Sequence, residues 1–139
     1  MRDLMMEMYD AFLADPVISK HLGKADIKFY DYPNANEVKN NVIVIDEVIS
    51  PGFKGYADND PLAYEYLYQV DIFVKQNSNN VNGSLLSREL ILRVQKVMWK
   101  VFEFSEFNSM KPEHIKDYNL YRTSKQFRGR KYINEMEQL

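Results

Sequence analysis

No cysteine occurs in the 139 residues. Disulfide staples, thiolate metal sites and thiol catalysis are therefore excluded, and the absence suits a reducing compartment. Histidine is nearly as scarce, with only His21 and His114, far apart and in no ligand-like spacing. His21 reads as a packing residue of a short helix. The five glycines fall into no P-loop, dinucleotide-binding or nucleophile-elbow pattern, and no His-Glu-x-x-His run is present. Asp46 and Glu47 are adjacent, but neighbours on a strand point to opposite faces and cannot act together on one substrate atom. The expectation is a protein that is not an enzyme and has no cofactor.

Long apolar runs are missing too. Asp3, Glu7 and Asp10 interrupt Met1–Asp15, which removes the basic start and unbroken apolar stretch of a secretion signal. No segment approaches the roughly 18 apolar residues of a membrane span. A soluble, unprocessed chain with no membrane partner is expected. Net charge is only −2, which argues weakly against a dedicated nucleic-acid binder. The distribution is uneven, however. Residues 1–81 carry 7 Lys and Arg against 13 Asp and Glu, and residues 82–139 carry 11 against 7. Such opposition arises when two halves of a monomer pack together, and it also suits a head-to-tail contact between copies.

What is present is apolar and aromatic. Hydrophobic residues make up 45% of the chain, with ten Tyr and eight Phe, enough for one domain over 1–139 with aromatics available for interfaces. Leu4, Met5, Met8, Phe12 and Leu13 predict an opening helix capped by Asp3, and Asp15-Pro16 predicts a restart into a second, short helix closed by Gly23. Ile27–Tyr32 and Val42–Ile49 read as strands joined by an Asn-rich connection. Ser50–Pro61 reads as a long exposed loop, of a kind often used for binding or assembly. Asp58 and Asp60 have a calcium-loop spacing without the rest of the ligand pattern, so the loop reads as solvated.

Leu62–Lys75 predicts one long strand, with Leu62, Tyr64, Tyr66, Tyr68, Val70, Ile72 and Val74 on one face. After a turn-rich linker, Ser84–Phe102 predicts a helix capped by Ser84 or Ser87, with the stripe Leu86, Leu90, Val94, Val97, Met98 and Val101. Glu89 and Arg93 are spaced as a helical ion pair, and Trp99 is either a flank of the core or an interface anchor. Phe104, Phe107 and Met110 lie in a connection before a last strand, Asp117–Tyr132. The expected fold is α+β, a single small domain in the order α-α-β-β-β-α-β. Its sheet of about four strands is mainly antiparallel, with a three-strand meander and helices on one face.

The last strand carries Arg122, Lys125, Arg128, Arg130 and Lys131, five cations in ten residues. They suit DNA backbone or an acidic neighbouring subunit. The other reading is a charged edge strand that resists sticking to other edges. Candidate contact residues are thus these five, the loop residues Phe53, Lys54, Tyr56, Asp58 and Asp60, and the strand tyrosines Tyr64, Tyr66 and Tyr68, for which core packing is the safer alternative.

The segments AYEYLYQVDIFVK, SRELILRVQKVMWKVF and YNLYRTSKQFRGRKYI, in this order, resemble the neck and tail-completion proteins of long-tailed bacteriophages, the tail-terminator type most of all. The resemblance spans nearly the whole chain and lies in size, element order and texture rather than in a signature motif. It implies a virion structural protein assembled in the host cytoplasm. Such a protein forms a hexameric ring, caps the tail tube, ends its polymerisation and offers the joining surface to the head connector. Its partners would be copies of itself, the tail tube protein and the connector, with non-specific contact to passing DNA left open. Another neck component, a head-completion or stopper protein, is the alternative within the class.

Overall fold

The computed structural model describes residues 1–137. Among them are four helices, α1 (Leu4–Ala14), α2 (Pro16–His21), α3 (Gly83–Phe102) and α4 (Ile133–Glu137). Seven strands accompany them: β1 (Ile27–Phe29), β2 (Asn41–Glu47), β3 (Gly52–Ala57), β4 (Asp60–Lys75), β5 (Ser105–Ser109), β6 (Glu113–Ile115) and β7 (Leu120–Tyr132). They form a small α+β domain around one open, mixed sheet of order β1-β2-β4-β7-β5, with β3 beside β4 and β6 beside β7. β1 runs parallel to β2 and every other pairing is antiparallel.

The helix starts follow from their caps. Asp3 accepts from the Met6 N–H at 3.2 Å, and Asp15 accepts from Val17 and Ile18 at 3.1 and 3.0 Å ahead of Pro16. The α3 cap differs from the expectation. Asn82, not Ser84 or Ser87, takes the Leu85 N–H at 3.1 Å, since an Asn side chain serves that position equally well. Glu103 ends α3 in the left-handed region, φ 58°, and this turn drops Phe104 into the core. Arg93 does not pair with Glu89 as the spacing suggested; its guanidinium reaches across to the Asp15 carboxylate.

Alternation along β4 builds two cores. Tyr66, Tyr68, Val70, Ile72 and Val74 face α1, α3 and α4 in the main cluster. On the opposite face Phe73 packs with Val38, Val42, Val44 and Leu120. Each fully buried aliphatic here stabilises by about 1.5–3 kcal/mol. The helix-free face is therefore not left open over the body of the sheet, because the 33–40 connection and β6 cover it. A polar junction sits on it as well. Asp71, fully buried, accepts from Arg122 Nε and Nη2 at 2.8 and 2.5 Å and from the Ser124 hydroxyl at 2.7 Å. Asp71 is thus a charge satisfied on every accessible side.

Several expectations need correction. The sheet has more than four strands because Ser50–Pro61 is not a loop and because the connection after α3 holds β5 and β6. The first link is a parallel crossover rather than part of a meander, and β1 stops at Phe29 where Tyr30 turns left-handed, φ 62°. From Leu120 to Arg128 β7 lies between β4 and the β5/β6 pair, so Arg122, Lys125 and Arg128 do not guard a sheet edge. Val101, placed in the buried stripe of α3 by its spacing, is 58% exposed.

Candidate assembly interface

β2 and β3 follow one another along the same side of β4. Asn41–Glu47 pair with Val74–Tyr68, and Gly52–Ala57 pair with Glu65–Asp60. β7 accompanies β4 on its other side from Ala63 to Lys75. The result is a three-strand ribbon whose far end runs past the helices. There the β3–β4 hairpin turns through Asp58 and Asn59, φ 51° and 67°, the two left-handed residues of a primed two-residue turn. Pro61 lies beyond the reach of β7, which begins pairing at Ala63, so its missing N–H breaks no ladder on that side. Six residues at about 3.3 Å each make this an arm of about 20 Å.

Every residue of β3 is exposed. Phe53 and Tyr56 stand at 57% and 64% exposure, with Leu62 at 45% on the facing strand. Asp58 and Asp60 place negative charge at the tip. Lys54 and Arg128 flank Glu65 at 3.6 and 3.7 Å, closing the base of the arm over a cavity of about 250 Å³ that Arg130 and Glu103 also line. Such exposed ion pairs add little stability on their own.

An aromatic row links arm to body. Phe53 stacks on Tyr64 (5.7 Å between centroids), Tyr64 meets Tyr66 (6.3 Å), Tyr66 stacks on Tyr68 (5.9 Å), and both Tyr66 and Tyr68 lie against Phe104. Exposure falls along it, so Tyr66 (3%) and Tyr68 (2%) are core residues and not contact residues. Burial pushes the Tyr66 hydroxyl up to about 12, with smaller contributions from Tyr64 and Glu47. Tyr64, half-buried, donates to Glu137 at 3.0 Å, and that bond raises its own pKa.

The basic segment is dispersed by the pleat of β7. Arg122 is committed to Asp71, and its guanidinium lies over the Phe73 ring at 5.2 Å. Lys125 pairs with Glu106 at 3.2 Å and donates to Gln95. Lys131 is buried, its ammonium 5.8 Å from the Phe104 ring. Arg128 and Arg130 alone of the five are exposed, both beside the arm, with Arg128 over Phe107 at 4.6 Å. The structure thus gathers Phe53, Lys54, Tyr56, Asp58, Asp60, Arg128 and Arg130 at one end of the sheet, with Tyr64 half-buried beside Phe53, and commits Tyr66, Tyr68, Arg122, Lys125 and Lys131 to contacts within the domain.

Sequence reasoning missed a second exposed surface. Leu85, Leu92 and Trp99, at 56–57% exposure, recur at seven-residue spacing down the outward side of α3. Their spacing was the available signal. Trp99 is accordingly no flank of the core. No cluster of three potential metal-ligating side chains occurs among the described residues, and no helix there is long and apolar enough to cross a membrane. No protein-family model matches the chain, and no curated protein matches it.

Proposed function

We propose that the chain is a structural subunit that assembles with copies of itself, and that it serves as the tail terminator of a long-tailed phage. In that role a ring of subunits, hexameric by the resemblance, caps the tail tube, stops its growth and meets the head connector, without turnover or cofactor. The observation that carries the assembly reading is the arm. Exposed Phe53, Tyr56 and Leu62 on a strand pair with no cover on either face are aromatic and aliphatic surface of the kind that anchors interfaces. Assembly also favours this reading over a nucleic-acid-binding module, because Arg122, Lys125 and Lys131 are engaged within the domain.

Tails assembled with and without the protein test it by electron microscopy. Tubes of uncontrolled length in its absence, and capped tubes of uniform length in its presence, are expected. Uniform tubes without it, failing only to acquire heads, would move the assignment to a head-completion or stopper role. Micromolar duplex-DNA binding with a steep salt slope would instead favour the nucleic-acid reading.

A further inference from the structure

A groove of about 510 Å³ lies between α1 and α3. Ala11, Ala14, Val97 and Val101 give it an apolar floor, and Lys96 and Lys100 stand on its rim. Val101 is the stripe residue that this chain leaves uncovered. Arg93, also on the rim, is neutralised by Asp15, whereas Lys96 and Lys100 make no ion pair among the described residues. The arm tip is its counterpart: exposed Tyr56 with Asp58 and Asp60, neither of which forms an ion pair among the described residues. β3 hydrogen-bonds only to β4, so the chain does not satisfy its own groove with its own arm.

We infer that the β3–β4 arm of one copy docks into the α1–α3 groove of the next, with Tyr56 on the apolar floor and Asp58 and Asp60 against Lys96 and Lys100. This deepens the assembly reading and rests on it. With the arm of each copy passed to the next rather than returned to the copy whose arm it receives, the contact is heterologous and closes into a ring when the rotation between copies permits. An arm-to-arm contact would instead place the like charges of Asp58 and Asp60 together, which is unfavourable. The acidic N-terminal and basic C-terminal halves acquire a physical purpose in this arrangement, since the arm belongs to the former and the groove cations to the latter.

The absence of cysteine makes crosslinking a clean test, since introduced thiols have no native competitor. Tyr56→Cys and Val101→Cys variants are prepared separately, mixed and oxidised, alone and with tail tubes. A disulfide-linked 56–101 pair is expected from the mixture, with at least tenfold less dimer from either variant alone. Asp58→Lys with Asp60→Lys on the first chain should cut the yield tenfold or more, and Lys96→Glu with Lys100→Glu on the second should restore it. Assembly without the 56–101 link, or with 56–56 links dominant, overturns the pairing and leaves the assembly reading standing. A 56–101 link in a protein without which tails still reach uniform length keeps the pairing and removes the terminator assignment. A chain that stays monomeric with and without tubes overturns both.

Discussion

From Val70 to Val74, β4 is buried at every residue; from Asp60 to Leu62, at none. One strand with continuous ladder bonds thus passes from a region held by packing to one held by hydrogen bonds and a tight turn alone. The body can lose stability in many ways, because its side chains fill two clusters and satisfy a buried charge. The arm has almost no tertiary packing to lose. Substitutions in the two regions should therefore separate folding from assembly.

The sharpest break on the body side is Asp71→Ala. It leaves the Arg122 guanidinium and Ser124 hydroxyl without their shared acceptor, and loss of one partner of a buried pair costs about 3–5 kcal/mol. Urea melts followed by circular dichroism should show the midpoint falling with the slope unchanged. Gly129→Ala comes next. A Cβ there would sit 2.0 Å from the Phe104 ring, so the ring must move, at about 1–3 kcal/mol. Thermal melts should show a matching drop in Tm.

Acid acts on the body more mildly. Burial opposes ionisation of Asp15, but Arg93 and the Ile18 and Val17 N–H groups outweigh it and hold the carboxyl below its usual value of 3.8. Glu7 is held below 4.5 by its bond to Arg2. A carboxyl with a depressed folded pKa stabilises above its unfolded pKa and loses that contribution as pH falls through the folded one. Stability should thus decline below about pH 4, and Asp15→Asn should flatten the decline. The smallest folding effect belongs to the arm. Phe53→Ser with Tyr56→Ser should shift stability by no more than about 0.5 kcal/mol per site, yet abolish ring formation measured by light scattering. A large loss of stability would show that the arm is part of the body after all.

What could be read beforehand divides along the same line. α1, α2, the span of β4 and its inward face were legible because each has a local cause: a carboxylate cap, a proline at the first helical position, or strict alternation. β3 was not, since Pro51, Gly52, Gly55 and Pro61 read as loop residues while the Asp58–Asn59 turn, compatible with left-handed backbone, passed unrecognised. The five cations of β7 formed one cluster in sequence. Only their cross-strand partners decide which are spent within the domain, and Asp71 lies fifty-one positions from Arg122. The parallel β1–β2 pairing and the Asn80 side chain, which donates to Asn40, Asn41 and the Lys75 carbonyl, are equally nonlocal.

The close approach of Gly129 to Phe104 also carries an evolutionary constraint. The ring occupies the volume that any side chain at 129 would need, so glycine is favoured at 129 for as long as the aromatic at 104 stays. In descendants of a common ancestor an aromatic just after the long helix should coincide with glycine late in the last strand, and a smaller residue at the first should release the second. That paired substitution is a signature through which distant kin could be traced after overall similarity has eroded, and it lies in the body, where it would persist even if the arm had been remodelled for a different neighbour.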